Sequence, residues 1–485
     1  MSNQLSQLKP QNVFHYFEEL CSIPHGSRNT KAISDYCVSF AQKQGLEVFQ
    51  DENDNVIIKK PASKGKENLP GVILQGHLDM VCEKEADVEF NFEQDPLNLK
   101  VVDDYVSATG TTLGGDDGIA VAMILSILAD PDLEHPPLEA ILTADEEIGM
   151  VGAQALDLSG IQGKHLINID SEEEGIITVG CAGGLTGQAV FAKDLTDFSG
   201  IRSELEITGL AGGHSGTQIQ LGHANANKLL GRLLFVLRKQ NIDFGIIEIQ
   251  GGAKDNAIAR DAQAVLVLPE EETAHAAEVI RQCAVEIKEE YHSADPDIVI
   301  DFNVQEPYSG PVWSFSLAER IIYLLFTTPY GVCSMCADFP DLVESSLNLG
   351  ILYTDEEEIT LTWSVRSNVE SKKQLICDQL MYMTEMMGGE FYVSGIYPAW
   401  PYQPDSQLLH QAVTTFQELY GHKPVVNTIH AGLECGLFSE KMPGVDMISI
   451  GPDILDIHTP KERLSISSTK RTYEYVLALL GSFSS

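Results

Sequence analysis

The chain has 485 residues, of which 44% are hydrophobic and 21% charged, and its formal net charge is -40. This length exceeds the size at which one hydrophobic core usually stops growing, so two domains are expected. The composition excludes a disordered chain, and the negative charge disfavours nucleic acid and anionic membrane surfaces as partners, because both would repel it.

The N-terminal segment has no basic stretch followed by an apolar core, and no later segment is apolar over a membrane-spanning length. These features predict a cytoplasmic protein. The chain then alternates apolar strands with helices, with strands predicted over 72–75, 138–142 and 166–169 and a buried helix over 116–130. This alternation predicts an α/β fold, a mostly parallel sheet flanked by helices.

The pattern changes near Ser203, where two rounds of strands and helices follow each other in similar order. The first round has three strands, a helix over 274–289 and a further strand; the second has a helix over 315–326, two strands, a helix over 372–386 and a strand. This order indicates an inserted α+β domain, built from a duplicated unit. A strand over 445–450 and a helix over 471–480 return to the first pattern. We therefore expect a discontinuous domain, residues 1–186 and 402–485, interrupted by a second domain, residues 187–401.

Nine cysteines at scattered spacings are typical of reduced thiols rather than of a disulfide framework. Cys333 and Cys336 form the one C-x-x-C motif. Because no second pair and no histidine lies near it in sequence, buried apolar packing is favoured over a metal or redox function.

Polar residues with metal-binding chemistry follow the apolar strands. The acidic triplet Asp145-Glu146-Glu147 comes directly after the strand over 138–142, and alone it is typical of a solvated turn. Similar positions, just past a strand or at the start of a helix, are held by His77, Asp79, Asp116, Asp117, Asp170 and His458. The carboxyl ends of strands in an open α/β sheet converge on one crevice, and imidazole and carboxylate ligands suit zinc or a similar divalent ion.

Six motifs occur in an order that resembles the M20 metallopeptidases along nearly the whole chain. They are GHLDMV, LGGDDGIA, TADEEIGMVGA, NIDSEEEG, GLAGGHSG and DIHTP. Members of this family carry two zinc ions between a catalytic domain and a lid domain. The doubled second domain and the segment HAGLECG, residues 430–436, make the chain most similar to the aminoacyl-histidine (Xaa-His) dipeptidase subgroup.

The resemblance implies two zinc ions per chain. It assigns His77 and Asp170 to one ion, Glu147 and His458 to the other, and Asp116 to both as a bridging carboxylate. A shared anionic ligand offsets the repulsion between two neighbouring cations, which can then hold a hydroxide between them. Manganese or cobalt would accept the same ligands.

The resemblance also implies roles for residues beside the metals. Glu146 is the general base that takes the proton of the metal-bridging water and returns it to the leaving amine. Asp79 orients the metal-binding ring of His77 through a hydrogen bond, and Asp117 is structural.

The second domain and the HAGLECG segment supply the candidates for substrate binding. His214, in a glycine-rich turn, corresponds to the lid histidine that stabilises the oxyanion, although a structural role is equally open from the sequence alone. Asn256 is a candidate for the substrate carbonyl and Arg366 for its C-terminal carboxylate, since a guanidinium binds carboxylates bidentately. Glu434 is a candidate for the free amino group, with a surface salt bridge as the alternative.

Three functions remain open. The first is a zinc dipeptidase that cleaves unblocked dipeptides, preferentially Xaa-His including β-Ala-His. The second is an amidase or deacylase of the same family that acts on N-acyl amino acids. The third is an acidic cation-binding scaffold without catalysis, which the presence of Glu146 beside the ligands disfavours. The oligomeric state is also open, because a duplicated lid mimics the contact by which single-lid relatives dimerise, and a homodimer is the alternative.

Overall fold

A computed structural model of the chain describes residues 4–483. The helices are α1 (Gln11–Cys21), α2 (Lys31–Lys43), α3 (Gly115–Ala129), α4 (Val151–Ala155), α5 (Ala226–Lys239), α6 (Glu270–Glu290), α7 (Phe315–Thr327), α8 (Glu370–Met386), α9 (Gln407–Tyr420), α10 (Glu434–Lys441) and α11 (Ile466–Ser482), and one turn of 3-10 helix spans Ile219–Leu221. The strands are β1 (Glu47–Gln50), β2 (Val56–Lys60), β3 (Val72–His77), β4 (Leu99–Val102), β5 (Tyr105–Ala108), β6 (Leu138–Thr143), β7 (His165–Asn168), β8 (Ile176–Cys181), β9 (Gly183–Ala192), β10 (Leu195–Thr208), β11 (Gly245–Gly251), β12 (Ala262–Leu268), β13 (Val299–Trp313), β14 (Gly331–Met335), β15 (Val343–Thr354), β16 (Glu358–Ser367), β17 (Glu390–Tyr397), β18 (Val425–Ile429), β19 (Asp446–Ser449), β20 (Ile454–Leu455) and β21 (Arg463–Ser465).

The chain divides into two compact units. The first unit consists of Met1–Cys181, Trp400–Thr428 and Leu433–Ser485, and the second consists of Ala182–Ala399 and Ile429–Gly432. The short stretch Ile429–Gly432 is therefore grouped with the second unit, although the sequence on both sides of it is grouped with the first. The domain limits 186/187 and 401/402 remain a prediction about which parts of the chain fold together.

The first unit is built on an eight-stranded sheet in the order β1-β2-β6-β3-β7-β19-β8-β18. At its centre β3 runs parallel to both β6 and β7, and β7 runs parallel to β19. All six residues of β3 and all six of β6 are buried. Strands covered on both faces are mostly apolar, and these two are apolar apart from Gln75 and His77 in β3 and Glu139 and Thr143 in β6. The predicted α/β fold with a mostly parallel central sheet and flanking helices is thus confirmed.

Helix α3 is buried on all sides, from Ile119 to Leu128. Its sequence has almost no polar residue after the first turn, and a helix without a polar face belongs in a protein interior. It contacts α1 and β3. Its first residues depart from helical geometry, at Asp116 and Asp117, so that the regular helix begins after them. Asp116 is thereby held at the helix start, near the end of β3.

The second unit contains a nine-stranded sheet, which confirms the duplicated α+β unit. Eight strands follow the order β13-β10-β12-β11-β15-β16-β9-β17, and β14 pairs with β15 beside this path. One half reads β10-α5-β11-β12-α6-β13 along the chain and the other reads β9, then α7-β15-β16-α8-β17. When the four strands of each half are numbered along the chain, their order from the sheet edge inwards is 4-1-3-2. This is the ferredoxin-like arrangement. The halves meet where β11 pairs with β15, at Gly251 and Leu352.

The sequence analysis did not predict strands β9 and β14 of this sheet or helix α5 of the same unit. Strand β9 opens the second half although it precedes β10 in sequence, and its GGLTG start carries three glycines, which are uncommon in strands. Helix α5 was also missed. It is strongly amphipathic, and the side chain of Asn225 caps it by accepting a hydrogen bond from the N–H of Lys228 at 3.2 Å.

All nine cysteines are free, as expected for reduced thiols. The prediction that Cys333 and Cys336 pack in an apolar interior is wrong, because Cys333 is exposed and Cys336 partly exposed. They lie on or next to β14, which has only β15 as a sheet neighbour. Within residues 4–483, no helix combines the length and the apolar character that crossing a membrane requires.

Candidate active site

The central strands of the first unit bring their carboxyl ends together. In the parallel register His77, the last residue of β3, lies opposite Thr143, the last residue of β6, and Gln75 lies opposite Asn168 of β7. Residues that follow these strands therefore converge on one edge of the sheet. His77 ends β3 itself, and the acidic triplet follows β6.

Asp116 lies between two histidines. Its Oδ1 is 3.1 Å from Nε2 of His77, and its Oδ2 is 3.2 Å from Nε2 of His458. Each histidine also contacts a second carboxylate. Nε2 of His77 is 3.5 Å from Oδ1 of Asp170, and Nε2 of His458 is 3.0 Å from Oε1 of Glu147. The five residues to which the sequence assigned metal binding thus form one continuous chain of contacts.

These residues fall into groups suited to a metal ion. Ligand atoms within 4.8 Å of one another come from His77, Asp116 and Asp170 in one group and from Asp116, Glu147 and His458 in another. Asp116 belongs to both. A third group of the same kind joins Glu146 to His77 and Glu147. Mixed imidazole and carboxylate donors are the ligands that zinc takes in catalytic sites. Carboxylates this close repel each other unless a cation lies among them, so the residues fit a pair of divalent ions.

The site is largely shielded from water. The exposed fraction of the side chain is 1% for His77, 8% for Asp170, 12% for Asp116 and 7% for Glu147, whereas it is 46% for His458. Glu147 is therefore no part of a solvated turn, which was the alternative interpretation of the acidic triplet.

The electrostatic field of the site is strongly negative. Hydrogen bonds to Asp116 and Glu147 raise the pKa of His458 to about 11. Burial disfavours the charged form of His77, but hydrogen bonds to Asp116, Asp170 and Asp79 outweigh burial and hold its pKa well above the usual range. The carboxylates therefore stabilise positive charge at both histidines, as they would stabilise a bound cation.

Neighbouring groups shift the pKa of the Glu146 carboxyl group. Burial, followed by the charges of Asp170, Glu434 and Glu147, raises its pKa well above the usual range, while His77 opposes that rise. Metal cations beside it would act in the same direction as His77 and bring the pKa down. Burial and the neighbouring carboxylates therefore act on the pKa of Glu146 in the opposite direction to His77.

Asp79 connects the ends of β3 and β6. Its Oδ1 accepts the backbone N–H of Glu146 at 2.9 Å, and its Oδ2 accepts the N–H of Glu147 at 3.3 Å and the hydroxyl of Ser27 at 2.7 Å. The Nδ1 of His77 is 3.0 Å from the backbone carbonyl of Asp79 and 3.5 Å from its carboxylate. Asp79 therefore holds the Glu146-Glu147 backbone as well as the ring of His77.

Two further aspartates support the backbone of the site. Oδ2 of Asp117 accepts the backbone N–H of His77 at 3.0 Å, in agreement with a structural role. Asp145 has a left-handed backbone, with φ of 56°, and its Oδ1 accepts the N–H of Arg28 at 2.5 Å. Within the acidic triplet, Asp145 therefore stabilises the turn that carries Glu146 and Glu147.

A buried polar layer next to the predicted metal ligands is formed by Gln75, Thr143, Asn168 and Glu434. The sequence analysis identified only Glu434 among these residues. Nε2 of Gln75 donates to Oε2 of Glu434 at 2.5 Å, the Thr143 hydroxyl donates to the same oxygen at 2.7 Å, and Nδ2 of Asn168 donates to Oε1 of Gln75 at 2.5 Å. Gln75 and Asn168 each precede a predicted ligand by two positions, so polar residues inside otherwise apolar strands were the available signal.

Glu434 is the acidic member of this layer. It is the first residue of α10 and is 0% exposed, so the surface salt bridge proposed as an alternative is wrong. Its Oε1 is buried and has no hydrogen-bond partner in the described part of the chain. Burial raises the pKa of Glu434 to about 7, against the influence of His77. A buried carboxylate with one free oxygen calls for a further donor.

In the second unit, His214 and Arg366 provide hydrogen-bond donors. His214 follows Gly212 and Gly213, both of which have positive φ, and its Nδ1 accepts the backbone N–H groups of Gly216 at 3.2 Å and Thr217 at 3.1 Å. An Nδ1 that accepts leaves the proton on Nε2. Burial, with Arg366 nearby, lowers the pKa of His214 to about 4. His214 is therefore a neutral ring that offers an Nε2–H donor.

Arg366 on β16 is 7% exposed. Its Nη1 donates to the hydroxyl of Tyr397 at 2.7 Å, and its Nε is buried without a partner. None of the ion pairs within residues 4–483 includes it. In so acidic a chain, a buried guanidinium without a carboxylate partner has the capacity to bind an external anion.

Asn256 and His430 complete this group. Asn256 is exposed, and its backbone carbonyl accepts the N–H of Ser215, the neighbour of His214, at 2.9 Å. His430, quoted in the HAGLECG segment but given no role, lies 2.7 Å from the Ser346 hydroxyl through its Nε2. Burial, then Arg366 and His214, lowers the pKa of His430 to about 3. The second unit thus brings His214 and Arg366 together and adds His430, which the sequence had not marked.

Comparisons with known proteins identify the family of the chain. The sequence profile of peptidase family M20/M25/M40 matches residues 73–482. The cytosol non-specific dipeptidase of Escherichia coli K12 is 35% identical over 480 residues, which cover 99% of each chain. The crystal structure of aminoacylhistidine dipeptidase from Vibrio alginolyticus has a TM-score of 0.90 at 38% identity and matches 100% of this chain and 99% of its own. Aminopeptidase PepT from Bacillus cereus shares the fold, with a TM-score of 0.56 at 16% identity over 98% of both chains. The chain therefore belongs to peptidase family M20/M25/M40 and is a hydrolase of peptide bonds.

Proposed function

We propose that the protein is a dinuclear metallo-dipeptidase that hydrolyses unblocked dipeptides, with Xaa-His dipeptides, including β-Ala-His, as preferred substrates. The observation that carries the proposal is the position of Asp116, whose two oxygens face two separate groups of metal-binding side chains. The Xaa-His preference is supported by the similarity to the Vibrio aminoacylhistidine dipeptidase.

The five ligands divide as the resemblance implies. His77 and Asp170 would hold one ion, Glu147 and His458 the other, and Asp116 both. The nitrogen and oxygen donors suit two Zn²⁺ ions per chain, and Mn²⁺ or Co²⁺ would use the same set. When bound, such a pair polarises the scissile carbonyl and lowers the pKa of water.

Glu146 moves the proton in this scheme. Its carboxylate takes a proton from the attacking water and returns it to the nitrogen of the leaving amino acid as the peptide bond breaks. The backbone of Glu146 is fixed by its hydrogen bond to Asp79, which also supports His77. Asp79 is therefore a positioning residue for both the base and a ligand.

Four residues are assigned to the substrate. Arg366 binds the C-terminal carboxylate, which is supported by its lack of an ion-pair partner within residues 4–483, and Asn256 binds a substrate carbonyl. His214 donates its Nε2–H to the oxyanion of the tetrahedral intermediate, a role that suits a neutral ring with a fixed tautomer. Glu434 receives the free amino group. A site that binds an ammonium and a carboxylate at a set separation selects dipeptides over longer chains.

The second candidate is an amidase or deacylase acting on N-acyl amino acids. Such a substrate has no ammonium group, so an acidic side chain aimed at its amino end would be left unpaired. Because Glu434 is fully buried and retains an unpaired oxygen, a substrate with a free ammonium is favoured.

We also propose that the enzyme works in the cytoplasm, supported by its nine free cysteines and by the E. coli relative, which is named a cytosol dipeptidase. Small dipeptides are its expected partners, and nucleic acid and membranes are not. The homodimer stays a prediction, to be tested by light scattering of the purified chain.

The proposal is tested by metal analysis combined with a substrate panel. Purified protein should contain close to two equivalents of divalent metal and hydrolyse Ala-His and β-Ala-His. N-acetyl-Ala-His, a dipeptide with an acetylated amino group, and N-acetyl-His, an N-acyl amino acid, serve as comparison substrates without a free ammonium. Preferential hydrolysis of the acetylated compounds would replace the dipeptidase by the deacylase, and a single equivalent of metal would contradict the dinuclear centre.

A further inference from the structure

One carboxylate, that of Glu462, accepts four consecutive backbone N–H groups. Oε2 accepts the N–H of Leu113 at 2.7 Å and that of Gly114 at 3.2 Å, and Oε1 accepts the N–H of Gly115 at 2.7 Å and that of Asp116 at 3.4 Å. Glu462 is 3% exposed. The four donors belong to the loop that ends at Asp116, the residue shared by the two ligand groups. Both oxygens of a buried carboxylate are therefore committed to the conformation of this loop.

The loop is shaped to receive this carboxylate. Gly114 has φ of 68°, a left-handed backbone that glycine adopts without strain. A Cβ on Gly115 would lie 3.2 Å from Oε1 of Glu462, so a larger residue there would press on the carboxylate. Successive N–H groups that turn towards one point form an anion-binding concavity, and here the chain supplies the anion itself.

The backbone around Glu462 is held by hydrogen bonds and by the strand that follows it. It follows His458 by four residues, and its N–H donates to the carbonyl of Thr459 at 3.1 Å. Strand β21 begins at the next residue and pairs with β5, and Ser465 at the end of β21 caps α11. The carboxylate therefore joins the segment that carries His458 to the loop that carries Asp116, two parts of the chain that are 346 residues apart at this contact.

We propose that Glu462 is a positioning residue of the metal centre. Its carboxylate fixes the loop from Leu113 to Asp116, so that Asp116 presents one oxygen towards His77 and the other towards His458. Glu462 touches neither substrate nor metal, and it acts through the orientation of the shared ligand. This inference rests on the proposed dinuclear centre, but metal binding measures it without turnover.

Three variants separate geometry from charge. Glu462→Gln keeps the size of the side chain but loses one acceptor and the charge, and turns an amide donor towards the loop. Gly115→Ala keeps the charge and places a methyl group 3.2 Å from Oε1, which presses on the carboxylate and shifts it slightly. Asp456→Asn is the matched control, because it removes one negative charge from the same segment, and Asp456 is exposed and has φ of 55°, which asparagine tolerates.

The readouts are the affinity of each variant for Co²⁺, by competition with a chromophoric chelator, and the visible absorption of the Co²⁺-loaded protein. We expect Glu462→Gln and Gly115→Ala to bind cobalt about 10- to 100-fold more weakly, as measured for other residues that support metal ligands. Their cobalt spectra should differ from that of the wild type, whereas Asp456→Asn should match it in both respects. Circular dichroism of the metal-free proteins monitors folding, and if Glu462→Gln does not fold, Gly115→Ala decides the question.

Two outcomes would overturn the inference. Wild-type cobalt affinity and spectrum in either folded variant would show that the loop holds Asp116 without Glu462. An equal loss of affinity in Asp456→Asn would show that only the negative charge of the segment matters. If the wild-type protein itself bound no pair of metal ions, the proposed function would fail instead, and that result is distinct from both.

Discussion

Replacing Glu434 by glutamine should separate the charge of this side chain from its packing. The carboxylate uses only Oε2 for its hydrogen bonds, from Gln75 at 2.5 Å and Thr143 at 2.7 Å. The carbonyl oxygen of a glutamine can accept both of these bonds. Its amide group then takes the place of Oε1, which has no hydrogen-bond partner among residues 4–483. Glu434→Gln is therefore expected to fold and to retain its metal ions.

The variant should lose activity towards substrates with a free amino group. Removing one partner of a buried, hydrogen-bonded charge pair costs about 2–5 kcal/mol. At about 1.4 kcal/mol for each factor of ten, kcat/KM for Ala-His should fall by roughly 30- to 3,000-fold. Hydrolysis of N-acetyl-Ala-His, which has no ammonium group, should be equally slow in the variant and the wild type.

The assay measures kcat/KM of both proteins for both compounds, with metal content determined on the same samples. Glu139→Gln is the matched control, since Glu139 is also a buried glutamate of the first unit, 6% exposed, at the opposite end of β6. A value for Ala-His within about threefold of the wild type would refute the assignment, because a buried charge pair is worth more than that. A similar loss for Ala-His and its acetylated form would show that Glu434 supports the common machinery instead.

The same substitution has a consequence for the stability of the metal-free protein. The pKa of Glu434 is raised from 4.5 to about 7, mainly by burial. A carboxyl group with a raised pKa contributes its full stability below 4.5 and loses it as the pH rises through 7, because the unfolded chain then ionises more readily. At pH 9 the ionised group costs about 3 kcal/mol at 1.36 kcal/mol per pKa unit. The free energy of unfolding, measured with urea, should rise for Glu434→Gln relative to the wild type between pH 5 and pH 9. An equal dependence of this free energy on pH in both proteins would contradict ionisation of a buried Glu434.

The remaining predictions concern the base, the carboxylate site and the ligands. Glu146→Gln should retain both metal ions and lower kcat by about 10²- to 10⁴-fold, and near-normal turnover would remove Glu146 as the base. Arg366→Lys should raise KM for Ala-His by about 10- to 100-fold, because an ammonium lacks the bidentate fork, and an unchanged KM would place the carboxylate elsewhere. His458→Ala should lower metal affinity, as shown by equilibrium dialysis, while a variant that kept two ions per chain would exclude His458 as a ligand. Chelation should abolish hydrolysis and Zn²⁺ should restore it, whereas activity that survives full removal of metal would contradict the metal mechanism.

The sequence predicted best where a local pattern determines the structure. The apolar runs before His77 and the acidic triplet became β3 and β6, the two central strands, because strands buried on both faces need continuous apolar residues. Parallel pairing then places the residues after each strand at one edge of the sheet. Most strands and helices of the second domain were likewise predicted, since amphipathic periods are local properties, but β9, β14 and helix α5 were not.

The rest depends on contacts that no local pattern specifies. Gln75 and Glu434 are 359 positions apart, and Glu462 reaches a loop 349 positions before it. In the sequence, Gln75 is an isolated polar residue in a strand, and Glu434 and Glu462 are charged residues outside the apolar runs. Residues of both kinds are common. The orphaned oxygen of Glu434 and the four N–H groups around Glu462 become apparent only when the fold places partners beside them.

The two halves of the second-unit sheet have the same architecture but contribute different residues. His214 follows β10 and Asn256 follows β11 in one half, whereas Arg366 lies on β16 in the other. When two identical chains form a symmetric pair, every substitution appears twice, at both equivalent positions. A sheet whose halves are joined in one polypeptide is free of that constraint. Each half can therefore specialise, so that one carries the residue proposed as oxyanion donor and the other the residue proposed to bind a carboxylate.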